Sequence, residues 1–470
     1  MVAAGGFREG AAAAIGERFE LEVESLATGG DAVGRHGGLV VFIDQAAPGD
    51  RVEVEVVEAA ARHLRARVRR VLRSGPGRVP PPCPVFGRCG GCAWQHIDYP
   101  QQLEWKRAIV VEALRRLGHV ADPEALVAPV LGAEPPWRYR HKMAVPFAPP
   151  RQRGGPLRAG FFATRSHQIV ETPECAIQHP LLDLALRETR RLAGVLGVSA
   201  YDERSRRGDL RHLVGRVSHR NATLLLALVT AAPEFAAGPE LARRLREALP
   251  QCVGVVHNVQ GAPGNAILGR TTRLLAGEDH LVEEIDGLRF LVSAPSFFQV
   301  SPVQAAALYR TAIGQAALSR GETACDLYAG VGTLSLFLAR TAAAVHAVEE
   351  VEAAVADGRR NAAENGMRNL RFHAGLAEAV LPALIGRGMR PDVVVLDPPR
   401  KGASVPVLEA VAQAGPRRVV YVSCNPATLA RDVQLLCGAG YRLREVQPVD
   451  MFPQTPHIEC SALLERERGG

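Results

Sequence analysis

No apolar stretch of roughly 18 residues or more occurs in this sequence, so no segment reads as a membrane-crossing helix. Met1 to Ala14 also lacks the charged-then-apolar order of a secretory leader, and the expectation is a cytoplasmic chain with no membrane partner. In that compartment nine cysteines do not make a disulfide framework, because reductants keep thiols free; clustered ones bind metal or do chemistry. Acid is missing from one stretch that holds Arg62, Arg65, Arg67, Arg69, Arg70, Arg73 and Arg78. Such a stretch reads as a strip facing phosphates, with a solvated edge strand as the plainer alternative.

The 470 residues, 47% of them hydrophobic, are enough for several cores. At roughly 100 to 200 residues per domain, two or three domains are expected. A net charge of +7 fits a polyanionic partner, although a basic surface also serves solubility. The arginine stretch closes a segment of short alternating runs, Phe19 to Val23, Leu39 to Ile43 and Val52 to Val56, separated by Gly29-Gly30-Asp31 and Pro48-Gly49-Asp50. Alternation with glycine-rich turns predicts a small OB-like β-barrel over 15–74, and Ser74-Gly75-Pro76-Gly77 and Pro80-Pro81-Pro82 mark its end.

Cys83, Cys89 and Cys92 follow at once, spaced by five and two residues and flanked by glycines. Three soft ligands require a fourth, and Cys175 in Thr172-Pro173-Glu174-Cys175 is the best placed, the other cysteines lying in apolar runs or other motifs. Such a set holds zinc, or iron and sulfur, or is a group of reactive thiols with no metal. The region 75–290 reads as central α+β, with a helix near Leu182 to Leu196 and a strand near Asn221 to Val229. Within it Trp137-Arg138-Tyr139-Arg140-His141-Lys142 alternates cations and rings, the pattern of a base-stacking, phosphate-contacting segment or of an exposed amphipathic strand.

From 291 to 470 strands and helices alternate regularly, predicting a Rossmann-like α/β domain. Thr323 to Tyr328 leads into the turn Ala329-Gly330-Val331-Gly332, which has only two of the three dinucleotide-fingerprint glycines, so NAD is poorly supported. The next strand ends at Glu349, whose carboxylate suits ribose hydroxyls, and an adenosine-bearing ligand follows. Val393 to Leu396 runs into Asp397-Pro398-Pro399-Arg400, a proline-stiffened loop that holds Asp397 toward the ligand crevice. Val419 to Val422 delivers Cys424 in Ser423-Cys424-Asn425-Pro426, a thiol displayed at a strand's carboxyl end where it can attack, and His457-Ile458-Glu459 brings a carboxylate near the terminus. A buried strand-end cysteine otherwise serves packing, and a late glutamate is ordinarily a solvated charge.

On these residues, together with Gly90-Gly91-Cys92-Ala93-Trp94-Gln95-His96, Tyr99, Gln102 and Phe297-Phe298-Gln299-Val300, the chain resembles the RNA 5-methyluridine methyltransferases. The resemblance covers almost the whole length. It implies a TRAM barrel at the N-terminus, a [4Fe-4S] cluster on Cys83, Cys89, Cys92 and Cys175, and S-adenosylmethionine held by Gln299, Tyr328, Glu349 and Asp397. Ser301 and Thr333 depart from the asparagines of some relatives. The implied chemistry is attack of the Cys424 thiolate on C6 of uridine, methylation of C5, and removal of the C5 proton by Glu459 before the thiolate leaves. The base must be extruded from its stack for this; His457 is expected to be structural. The barrel and the four cysteines resemble the 23S ribosomal RNA branch more than the transfer RNA branch, so the expected partner of this monomer is 23S rRNA rather than DNA. A base amino-group methyltransferase, which does not need Cys424, and a noncatalytic RNA-binding iron–sulfur protein are the other two readings.

Overall fold

The computed structural model describes residues 14–152, 154–172 and 174–467; the leader reading of Met1 to Ala14 lies, but for its last residue, outside them. Among the described residues no helix is long and apolar enough to cross a membrane.

Five strands close into the expected small barrel, in the spatial order Arg18–Leu26, Ala32–His36, Leu39–Asp44, His63–Arg73 and Arg51–Ala59, the last pairing antiparallel with the first. Alternation dictates which residues fill it: Leu21, Val23, Val41, Ile43, Val52, Val54 and Leu64 point inward and are buried. Trp94, Ile97 and Ile109 belong to the same core although they come from beyond the Gly/Pro boundary. Asp50 is fully enclosed and accepts from Arg78 (2.6 Å), Ala47 N (2.7 Å) and Gly75 N (2.8 Å). Burial alone would raise its carboxyl, but Arg78 and the two backbone donors outweigh burial and hold it below its ordinary value.

The arginine stretch is not an acid-free surface. Five of its seven members find carboxylates that the barrel brings from other segments: Arg65 meets Asp31 (3.0 Å), Arg67 and Arg69 both meet Glu55 (2.9 and 2.5 Å), Arg73 meets Glu22 (3.0 Å), and Arg78 meets Asp50. Closing the barrel set these acids opposite the arginines, a pairing invisible in local sequence. The exposed pairs contribute little to stability.

The central region builds a six-stranded sheet, in the order Thr271–Gly277, Cys252–Val259, Leu224–Thr230, Leu210–Val217, Lys142–Ala148 and Arg158–Ala159, with helices Pro180–Val195 and Gly238–Ala248 against it. Of Trp137 to Lys142, residues 137–141 are irregular and Lys142 opens the strand Lys142–Ala148; Tyr139 and His141 are buried, and the Tyr139 hydroxyl donates to Pro453 O (3.0 Å), so these two rings are not free to stack on a base.

The last sheet has seven strands in the order Leu370–Ala374, Ala344–Glu349, Thr323–Leu327, Val393–Leu396, Arg418–Ser423, Glu459–Arg466 and Tyr441–Val449. The first five are parallel; Glu459–Arg466 inserts antiparallel. Both faces are covered by apolar side chains, which is why Val393–Leu396 and Val419 to Val422 read as unbroken apolar runs. Strand order reverses between Thr323–Leu327 and Val393–Leu396, the place where an open α/β sheet offers a ligand crevice at its strands' carboxyl ends.

Candidate active site

Three of the four residues expected to hold the methyl donor stand at adjacent strand ends beside this switch. Tyr328 follows Thr323–Leu327, Glu349 ends Ala344–Glu349, and Asp397 follows Val393–Leu396. Tyr328 adopts φ 67°, a conformation that bulky side chains rarely take and that surrounding structure must impose. The Glu349 carboxylate accepts from Gly330 N (2.9 Å) and Val351 N (2.8 Å), so the glycine turn fixes it. Gly332, at φ 82°, admits no side chain, since a Cβ there would lie 2.6 Å from the Phe372 ring. Gln299 is buried in the loop before helix Pro302–Ala316, and the departure at Ser301 has a local reason: its hydroxyl caps that helix at Gln304 N (3.4 Å), with Pro302 opening the first turn.

Carboxyl groups concentrate at these strand ends. Burial lifts Asp397 to about 6. Burial, with repulsion from Asp397 and Glu349, lifts Asp326 to about 7 against a hydrogen bond from Ser335. Asp326 was not singled out by sequence; its signal is an acid inside an otherwise apolar buried strand. Its Oδ1 has no partner among the described residues.

Strand pairing answers what sequence could not, whether Cys424 and Glu459 are brought side by side. Ser423 is paired with Cys460 across the antiparallel ladder, so the next residues on each side, Cys424 and Glu459, are neighbours. Cys424 opens onto a small cavity of about 100 Å³ lined also by Thr28, Arg400, Asn425, Pro456 and His457. Burial, followed by the charge of Glu459, pushes its thiol up to about 11, while Arg400 pulls the other way. Glu459 is buried and its carboxyl is raised well above the ordinary value by burial and then by Asp397, again opposed by Arg400. Its Oε2 is buried and has no hydrogen-bond partner among the described residues. Arg400 was quoted by sequence without a role; it is a cation acting on both groups. The exposed His457 approaches Arg400 (3.4 Å) at the mouth of the cavity.

Cys83, Cys89, Cys92 and Cys175 line one larger cavity of about 720 Å³, so the four do come from distant segments to one place. They are not drawn to ligand spacing: among the described residues no three Cys, His, Asp or Glu are close enough to hold a metal ion. Burial and then the neighbouring cysteines push Cys92 up to about 12, and as neutral thiols such groups have no attraction that would gather them. The donor chemistry still fits a thiolate-bound group, and Gly91 N donates to Cys89 Sγ (3.4 Å).

Fold and site thus define a methyl-transfer class of α/β enzyme fused to a small RNA-type barrel. Residues 290–467 match the family model described as tRNA (Uracil-5-)-methyltransferase, and residues 13–68 match the TRAM domain. An uncharacterized RNA methyltransferase of Halalkalibacterium halodurans is 42% identical over 95% of this chain and 96% of that protein. Another, of Gloeobacter violaceus, is 43% identical over 96% of this chain and 97% of that protein. The crystal structure of Pyrococcus abyssi tRNA (uracil-54, C5)-methyltransferase in complex with S-adenosyl-L-homocysteine matches with a TM-score of 0.75 and 26% identity, covering 95% of this chain and 100% of that one. The chain belongs to the RNA (uracil-5-)-methyltransferase family and is an S-adenosylmethionine-dependent enzyme. The noncatalytic and amino-group readings fall with that membership.

Proposed function

We propose that the chain methylates C5 of a uridine in 23S rRNA, with Cys424 as nucleophile and Glu459 as base. The observation that carries the chemistry is the pairing that makes the Cys424 thiol a neighbour of a buried carboxylate with a free oxygen. The thiolate adds to C6, and the C5=C6 electrons move toward the C4 oxygen, making C5 nucleophilic. S-adenosylmethionine supplies an electrophilic methyl group. Glu459 takes the C5 proton, the electron pair re-forms C5=C6, and the C6–S bond breaks to free Cys424.

Tyr328, Glu349, Asp397 and Gln299 are the residues that would bind the donor. Asp397 raises both Cys424 and Glu459, so a cation held against it lowers both and readies the thiol and the base together. The raised Asp397 and Asp326 also give a pH signature. Carboxyls near 6 and 7 are protonated below those values and attract a sulfonium poorly, so affinity rises with pH. Calorimetric titration is expected to show S-adenosylmethionine binding roughly tenfold more tightly at about pH 8 than at about pH 5. S-adenosylhomocysteine, lacking the sulfonium, should change less; equal pH dependence would count against Asp397 in the donor site.

The choice of 23S rRNA rests on the barrel and the four-cysteine set. Transfer RNA is the second reading, favoured by the Pyrococcus abyssi match. Incubation with 5-fluorouridine-substituted fragments separates them, because fluorine blocks proton removal and traps the thiol adduct. A donor-dependent shifted band with 23S fragments is expected; a band with transfer RNA alone moves the substrate, and no band with either sinks the covalent mechanism.

The cysteines are proposed to hold a [4Fe-4S] cluster with a structural or RNA-positioning role. Protein purified without oxygen should contain about four irons and four sulfides per chain, both lost in Cys92→Ser. Zinc in their place would overturn the assignment.

A further inference from the structure

Glu459 makes no hydrogen bond through Oε2 among the described residues, and the backbone leading to it is what carries defined polar contacts. That backbone, the loop between Tyr441–Val449 and Glu459–Arg466, is gripped by residues from far earlier in the chain. Asp450 accepts from Lys106 Nζ (2.5 Å) and Tyr99 Oη (3.0 Å), and Lys106 also donates to Phe452 O (3.1 Å). Gln102 and Gln454 clasp each other: Gln102 Nε2 donates to Gln454 Oε1 (2.9 Å), and Gln454 N donates to Gln102 Oε1 (3.0 Å). Gln454 O accepts from Ala93 N (3.1 Å) and Trp94 N (3.0 Å), which directly follow Cys92. The barrel closes the far side, since a Cβ on Gly30 would lie 2.7 Å from Pro456.

All four of Gln102, Lys106, Asp450 and Gln454 are buried, and Gln454 sits at φ 69°, a sparsely populated conformation that persists only where surroundings over-determine it. A buried ion pair is weak evidence for stability but good evidence for one defined geometry. We propose that the Gln102–Gln454 clasp, backed by Lys106–Asp450, positions the Glu459 carboxylate for removal of the C5 proton. The inference rests on Glu459 being the base. Gln102 and Gln454 are positioning residues, and the segment after Cys92 is part of what holds the catalytic loop.

Gln454→Gly tests this with the backbone geometry kept, because glycine accepts φ 69° and keeps the carbonyl that Ala93 and Trp94 need; Gln102→Met removes the other half. With full-length protein, trapping by 5-fluorouridine RNA should run at the parent rate, since it needs Cys424 but no proton removal. On ordinary RNA, turnover should fall about tenfold to a hundredfold while a methylated Cys424–RNA adduct accumulates on denaturing gels. Trapping and turnover falling together, or neither changing in Gln454→Gly, would overturn the proposal. If Glu459→Gln itself accumulates no adduct, the reading of Glu459 has failed instead.

Discussion

Cys424→Ala is expected to lower methyl transfer by about 10⁴-fold or more and to remove every covalent RNA adduct, measured by labelled methyl incorporation and by denaturing gels. C5 of uracil is too poor a nucleophile to take a methyl group unaided, and no other described thiol lines the small cavity. Cys460 is buried within the sheet and Cys437 lies on the helix beyond. RNA and donor binding should persist, because the deletion leaves the strand end and the crevice in place. Retained methylation would show that the acceptor is activated without addition to C6.

Glu459→Gln should have a different signature. Glutamine keeps the shape but cannot take a proton, so addition and methyl transfer continue while release fails. Turnover is expected to drop by about 10² to 10⁴-fold, and the variant should stall as a methylated adduct on unmodified RNA, without fluorine. The parent enzyme's rate should also depend on pH. Because the Glu459 carboxyl is raised by burial and Asp397, activity limited by proton removal climbs as pH increases and the group ionises. That climb should vanish in the glutamine variant. Loss of adduct and product together would assign Glu459 to structure.

Much of this arrangement was readable from periodicity and turn chemistry. Val393–Leu396 begins and ends where its apolar run does, and the barrel's alternating runs lie within observed strands. Elements fixed by local pattern are legible because burial on one or both faces writes itself into the sequence. Pairings across distance are not. The acids facing the arginine stretch, the register that joins Cys424 to Glu459, and the clasp between Gln102 and Gln454 depend on which segments meet. Tyr139 misled for the same reason: a ring among cations reads as a surface motif until the loop before Glu459 is seen to cover it.

The insertion of Glu459–Arg466 between Arg418–Ser423 and Tyr441–Val449 bears on synthesis order. A growing chain makes the thiol strand and the outer strand first, with a gap between them that only a later segment fills. Until then Cys424 lacks the carboxylate of Glu459 and the flank of Arg418–Ser423 is an unpaired edge, open to association with other chains. Cys424 is therefore made before Glu459, and a chain truncated ahead of that strand would lack this carboxylate and expose an edge prone to aggregate.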